Sequence, residues 1–526
     1  MKRDAPSARD ARRPTVKFYL LLFAAAYLLL FVTHLPLLNL PYYWDEAGYF
    51  IPAARDIYAE GEFVPVSTLS NAHPPLVMAY LALAWKAFGF HIEVARAAML
   101  GVAALALVGL FRLAERAAGR GVAWATIICT AAYPVFFAQS SLAHLDMAAA
   151  AFTIWALDFY LPRGDLREHG AVVDDGRADA RRRVASVALF AGAAMAKETA
   201  LLAPFALFGW EVACGAASRF KLRVAERPCL SPRRPAWHTA LLLLAAAPLL
   251  AWLAYHRSRT GYFFGNPDYF RYNVEATLGL ARIAEAARGR AWQLTAHMNL
   301  WALTLPAALL MLGAMLKLSL ARPVEDGSVE RRRIDVRVQL VFAVLVLAYG
   351  SALSIVGGAV LARYMLPVVP LVILVSVSTI HRRVRRWRLV VALACVVLAA
   401  GIVVNPPHSF PWEDNLAYRD FVLLHRDAAR FIEATYEDPR VLTAWPATDE
   451  LRNPFYGYAA RPARVVALEN FREEHLRRAS ASDYDVALLF STHGGPTLEE
   501  AVARLGARAV RFRAERRGQW VAVVEK

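Results

Sequence analysis

The 526-residue chain is poor in cysteine, with Cys129, Cys214, Cys229 and Cys395 only. All four fall in apolar runs or in one basic loop, and none falls in a segment placed below outside the membrane. No disulfide and no zinc site are therefore expected. Acidic residues are outnumbered, 44 against 60 Lys and Arg, for a formal charge of +16. That surplus does not point to nucleic acid. The basic residues cluster in short loops between apolar runs, which is how cytoplasm-facing loops of membrane proteins look. Internal repeats and low-complexity tracts are absent, which excludes solenoids and long disordered arms. The first loop holds no Asp-x-Asp pair, so no obligatory metal is expected. If a divalent ion binds, a cage of Glu46, His73 and His256 is the arrangement that would take it.

What the chain has in excess is apolar length. Hydrophobic residues make up 58%, in many runs longer than a strand, so a polytopic helix bundle is expected. The basic stretch 1–17 feeds an apolar run, Phe18 to Leu40. It is too long for a signal-peptide core and has no small-residue cleavage pattern, so it reads as an uncleaved span with its N-terminus in the cytoplasm.

Charge then decides sidedness. Residues 74–90 give a stretch of about 16 residues, short of the roughly 20 a span needs. The preferred reading is a half-embedded helix. It puts Arg112, Arg116 and Arg120 in the cytoplasm and brings Asp146 to the same side as Asp45. Between the basic markers Arg181-Arg182-Arg183 and Arg219 to Arg234 lie only about 30 apolar residues, a hairpin with arms of roughly 22 Å and Lys197-Glu198 at its tip. Further spans are expected at 237–255, 300–318, 338–355, 364–380 and 389–404. Eleven crossings place the last segment outside. There, apolar runs at 441–444, 465–468, 486–490, 509–512 and 521–524 alternate with helical stretches such as 498–505, as in a small α/β domain.

The stretch Pro41-Tyr42-Tyr43-Trp44-Asp45-Glu46-Ala47-Gly48-Tyr49-Phe50 organises the rest. Its aromatics suit a membrane interface; its two adjacent acids need partners or work. Sugar transfer from a lipid phosphate requires a base for the acceptor proton and cations for the leaving phosphate. Asp45 is the candidate base. Glu46 would orient it or bind sugar hydroxyls, and Asp146 is a second candidate acid or a helix N-cap. Lys197 is the first candidate for the phosphate, beside its neighbour Glu198, and Arg363 with Tyr364 the second. His73, Tyr43 and Glu198 are candidate contacts to acceptor or donor.

In this order the residues resemble polytopic GT-C-type glycosyltransferases. The features are the acidic pair after the first span, His73-Pro74-Pro75-Leu76, Asp146 opening a later helix, Lys197 in a short hairpin and Arg363-Tyr364 followed by Pro367. The nearest kinds are the bacterial relatives of protein O-mannosyltransferases, the lipid A aminoarabinose transferase and the lipopolysaccharide-core galacturonosyltransferases. The resemblance covers roughly residues 15–400. It implies a polyprenyl-phosphate-linked sugar donor, inverting transfer and the role of base for the first acid, Asp45. His73 matches the protein mannosyltransferases, whereas the aminoarabinose transferase has lysine there, so the acceptor stays open between protein and glycolipid.

The resulting expectation is a mainly α protein: a cytoplasmic tail at 1–17, a GT-C module of about eleven spans at 18–404, and an extracytoplasmic α/β domain at 405–526. It would sit in a bacterial inner membrane, among membrane lipids, and would move a sugar from undecaprenyl phosphate to an envelope acceptor. The alternative is a transporter or flippase of a polar or lipid-linked substrate.

Overall fold

Thr15 opens the first helix by accepting a hydrogen bond from the Phe18 amide at 3.4 Å. Val16–His34 follows, about 28 Å long at 1.5 Å per residue. The structure, a computed structural model, describes residues 15–162, 166–167, 176–219, 236–319, 322–326, 329–404, 408–480, 482–506 and 509–525. The tail at 1–14 and much of the basic loops at 162–183 and 219–234 lie outside these.

The chain is mainly helical and multi-pass in character. Among the described residues, five helices are long and apolar enough to cross a bilayer: Val16–Leu37, Ile92–Ala118, Glu198–Ala217, Trp237–Thr260 and Val336–Ile355. They become six if Leu280–Asn299 and Trp301–Met315, bent by 112°, form one broken span. The sequence reading counts eleven because it includes shorter runs. Residues 121–139, read as one run, are two helices, Arg120–Ala132 and Pro134–Gln139. Pro134 has no amide hydrogen to continue the first, and proline is at home in an opening helical turn. Leu76–Phe88 has 13 residues, or about 20 Å, well under the hydrocarbon thickness.

The helix Leu145–Tyr160 is buried along most of its length and works as a ruler. Asp158 near its C-terminal end pairs with Arg112 at 2.7 Å and with Arg116. The basic loops are stitched together at that end. The Leu166 amide donates to the Arg116 carbonyl, the Asp335 amide to the Leu166 carbonyl and the Val324 amide to the Arg382 carbonyl. Asp146 lies twelve residues earlier, about 18 Å away along the axis. The basic loops and the acidic cluster thus occupy opposite ends of one buried helix.

One expectation fails locally. Cys214, near the end of Leu202–Arg219, is disulfide-bonded. The expectation rested on compartment, whereas the bond itself requires only that two thiols come within reach.

Beyond a small hairpin, β1 (Glu325–Asp326) with β2 (Val329–Glu330), the strands belong to the C-terminal domain. These are β3 (Arg440–Ala444), β4 (Arg464–Leu468), β5 (Val486–Phe490), β6 (Ala509–Arg516) and β7 (Gln519–Glu525). The sheet order is β4-β3-β5-β7-β6. The first three strands are mutually parallel, and β7 is antiparallel to both β5 and β6. The domain sits on the acidic end of the bundle. Tyr43 donates to the Pro411 carbonyl at 3.1 Å, Tyr456 to the Ala47 carbonyl at 2.7 Å, and Gln139 to the Glu413 carbonyl at 2.9 Å.

Candidate active site

The site starts from an unusual turn. Trp44 has φ 48°, uncommon for a side chain of that size, and Glu46–Phe50 is one turn of π-helix, a form often found at functional positions. Arg96 holds this turn. It lies in the apolar helix Ile92–Ala118, is 1% exposed, and grips Glu46 with both terminal nitrogens, one contact at 2.9 Å. It also donates to the carbonyls of Leu40 and Pro41, each at 3.2 Å. Glu46 further accepts the amides of Tyr43 at 3.1 Å and Ala143 at 2.6 Å.

Glu46 is fully buried and bonded to Arg96, so it pins the turn. Tyr43 is 0% exposed, with its hydroxyl on Pro411, at the joint with the C-terminal domain.

Beside the buried Glu46, the Asp45 side chain stays 38% exposed. It pairs with Arg363, which lies in a short 3-10 turn ahead of the helix Val369–Arg383. Arg363 gathers two further carboxylates, Glu413 at 3.1 Å and Asp146 at 3.4 Å. Asp146 also accepts from Lys197 at 2.6 Å. Lys197 is extended, φ −154° and ψ 130°. It thereby breaks the hairpin between Gly176–Ala196 and Leu202–Arg219 and turns its ammonium inward. That ammonium lies 3.7 Å from the Tyr364 ring centroid, a cation–π contact. His73 and Glu198 meet at 3.2 Å, and Tyr269 reaches His73 at 3.3 Å. Asp45, Asp146, Lys197, Arg363 and Tyr364 therefore form one cluster, with His73 and Glu198 paired with each other.

The sequence reading missed four members. Glu413 is buried, and that burial pushes its carboxyl up to about 7 despite the Arg363 guanidinium, with Asp45 adding to the rise. Its context, Trp412-Glu413-Asp414, repeats the aromatic-acid-acid pattern of Trp44-Asp45-Glu46 just past the last apolar helix, and that repetition was the available signal. Arg96, a charge inside an apolar run, was visible by the same rule that found Lys197. His144 and Arg290 carried none. His144 lies 3.4 Å from Arg363, and its ring is held neutral by burial and by that guanidinium. Arg290, in the helix Leu280–Thr295, is 1% exposed and anchors the Arg363 turn by donating to the Leu361 carbonyl at 2.7 Å.

Three buried polar atoms around Arg363 have no hydrogen-bond partner among the described residues: its own Nε, Oε1 of Glu413 and Nε2 of His144.

This frame has a known counterpart. The fold is that of ArnT. The ArnT structure from Cupriavidus metallidurans in the apo state has a TM-score of 0.55 at 17% identity, covering 97% of this chain and 98% of that one. The structure of the same protein bound to undecaprenyl phosphate gives 0.54 at 15% identity with the same coverage. The chain thus has a GT-C-type fold, C-terminal domain included. No protein-family model and no curated protein matches the sequence.

Among the described residues, no group of three or more His, Cys, Asp or Glu side chains is arranged to hold a metal ion. The cage of Glu46, His73 and His256 is not assembled. Glu46 is taken by Arg96, His73 by Glu198, and His256 pairs with Ser70 at 2.7 Å.

Proposed function

We propose that the chain is an inverting glycosyltransferase that moves a sugar from a polyprenyl phosphate, such as undecaprenyl phosphate, to an envelope acceptor on the outer face of the cytoplasmic membrane. The observation that carries this reading is the arrangement around Arg363: a partly exposed Asp45 paired with it, and a second buried cation, Lys197, held through the shared Asp146. A displacement at an anomeric carbon needs both kinds of group, a base for the acceptor proton and cations for the leaving phosphate. The likeness of the fold to a protein bound to undecaprenyl phosphate supports the donor class.

In the ligand-free chain the carboxylates of Asp45, Asp146 and Glu413 stand where anions belong. When a lipid phosphate arrives, its oxygens compete for Arg363 and Lys197, and Asp45 is released from the guanidinium. The acceptor hydroxyl then attacks the anomeric carbon, its proton passes to Asp45, and the bond between that carbon and the phosphate oxygen breaks. The polyprenyl phosphate leaves with both electrons of that bond, held by Arg363 and Lys197. Tyr364 keeps the Lys197 ammonium in place, and Arg290 keeps the Arg363 turn in place. The acceptor is a protein hydroxyl or a glycolipid.

The test incubates purified chain with radiolabelled polyprenyl-phosphate sugars and cell envelopes. Label moving from lipid to an envelope component, and not moving with Asp45→Asn, supports the reading. Uptake of a polar substrate into vesicles without any sugar transfer defeats it in favour of transport.

A further inference from the structure

The C-terminal domain reaches the turn that carries Asp45, and one of its contacts meets a need that the turn creates. Glu46–Phe50 is π-helical, so each carbonyl takes its donor from five residues ahead. The Ile51 amide goes to the Glu46 carbonyl. In the same register the Ala47 carbonyl would need the amide of Pro52, and proline has none. The turn therefore leaves the Ala47 carbonyl without its ladder partner.

That carbonyl is served from 409 residues away. Tyr456, 3% exposed, donates its hydroxyl to it at 2.7 Å. The Tyr456 carbonyl in turn accepts the Tyr42 amide at 3.0 Å. One residue of the C-terminal domain thus bonds the chain on both sides of Asp45, at Tyr42 and at Ala47.

Trp445 covers the same turn. Its ring meets Trp44, the residue before Asp45, edge to face at 4.3 Å, and Phe410 meets Trp44 at 4.6 Å. A β-carbon at Gly48 would stand 3.3 Å from the Trp445 indole, so glycine lets the indole lie close against the backbone. Trp44 has φ 48°. A conformation of that kind persists where its surroundings over-determine it. Phe410, Trp445 and Tyr456 add those constraints to the ones Arg96 supplies from the bundle.

We propose that Tyr456, backed by Trp445, is a positioning residue for Asp45: the C-terminal domain fixes the turn from one side and Arg96 fixes it from within the bundle. The aiming of a base rests on the transferase reading above; the fixing of the turn does not. A base has to stay within hydrogen-bond reach of the acceptor hydroxyl, and a displacement of about 1 Å costs on the order of a hundredfold in rate. Tyr456 bonds the turn, whereas Arg363 and Lys197 are held by Asp45, Glu413 and Asp146. Loss of its hydroxyl therefore acts on turnover and spares donor binding.

The experiment compares the full chain in detergent with Tyr456→Phe, which keeps the ring and removes the hydroxyl. It follows hydrogen exchange of the amides of residues 44–51, the unfolding temperature, and transfer from a polyprenyl-phosphate sugar. Faster exchange confined to the turn, with kcat down about tenfold to a hundredfold and donor KM within about twofold, supports the inference. Tyr456→Phe added to Asp45→Asn should cost little more, because both act through one group. Trp445→Leu, at a residue 39% exposed, should give the same pattern, and it stands in if Tyr456→Phe does not fold. Unchanged exchange and kcat, a donor KM rising in step with the loss of kcat, or an equal further loss in the Asp45→Asn chain each overturns it. So does faster exchange spread over the whole chain with a lowered unfolding temperature, which is what a packing role alone would give. If the parent chain transfers no sugar, the transferase reading fails, and exchange at the turn still decides whether Tyr456 fixes it.

Discussion

The guanidinium of Arg363 and the carboxylate of Glu413 lie 3.1 Å apart, although fifty residues and the helices Val369–Arg383 and Trp387–Val403 separate them in sequence. The contact joins the bundle to the first turn of the C-terminal domain. It also puts a group that titrates near neutrality on one of the two candidates for holding phosphate.

Donor binding should therefore depend on pH through Glu413. Burial pushes its carboxyl up to about 7, Arg363 opposes the rise, and Asp45 and Asp414 add to it. His144, also against Arg363, stays neutral. Below about pH 7 Glu413 is protonated and leaves Arg363 open to phosphate; above it, the carboxylate competes. The donor KM is expected to rise as pH goes from about 6 to about 8, and Glu413→Gln should flatten that rise. Stability has a matching sign. A raised acid pKa means the folded chain holds its proton more tightly than the unfolded one. The associated stabilisation is present at low pH and lost as pH climbs through about 7. An unchanged KM profile in the variant would refute the assignment.

Asp45→Asn separates base from binding. Asparagine keeps the size of the side chain but cannot take a proton, so turnover should fall by about two to four orders of magnitude, the usual contribution of a positioned base. Arg363 and Lys197 remain, so donor affinity should hold or tighten, because one competing carboxylate is gone. Steady-state transfer and equilibrium binding of the lipid phosphate, measured side by side, check both halves. A parallel loss of binding and turnover would make Asp45 a structural partner of Arg363 instead.

Much of this was legible in the residues. Short apolar runs ending in loop signals gave the five strands of the C-terminal sheet, because a buried strand is local in its pattern. Asp45, Lys197 and Arg363 could be singled out because a charge beside apolar length needs a reason. The partners were harder. Asp45 and Arg363 are 318 residues apart, and no local pattern records a pairing of that span. Glu46 illustrates the same limit. Its adjacency to Asp45 suggested shared work, but Glu46 is bonded to Arg96, fifty residues on, while Asp45 is bonded to Arg363.

Lys197→Met tests the second cation. Asp146 keeps Arg363 at 3.4 Å, so the lost pair is partly compensated. The cost in stability should fall below the roughly 3–5 kcal/mol typical of stripping one partner from a buried pair. The effect on the donor should be larger, since Lys197 is the ammonium held against Tyr364 at 3.7 Å, inside the cluster. We expect donor affinity to drop about tenfold or more, with the unfolding temperature only modestly lowered. Lys197→Arg should restore part of the binding. Equal affinity in Lys197→Met and the parent would remove Lys197 from the phosphate site.

Arg96→Met, by contrast, should act on the fold first. Glu46 is fully buried, and Arg96 is the only cation bonded to it among the described residues. Removing Arg96 leaves a buried charge with two amide donors and no cation, expected to cost about 3–5 kcal/mol. Glu46→Gln in the same chain should recover part of that stability, because the charge disappears while the amides keep an acceptor. Activity should not recover in step. The Leu40 and Pro41 carbonyls lose their guanidinium in both variants, so the turn that aims Asp45 loosens even where the chain is stable. A double-mutant cycle read by thermal unfolding and by kcat separates the two roles. Stability and kcat returning together would mean that Glu46 and Arg96 serve only to hold the chain folded and do not aim Asp45.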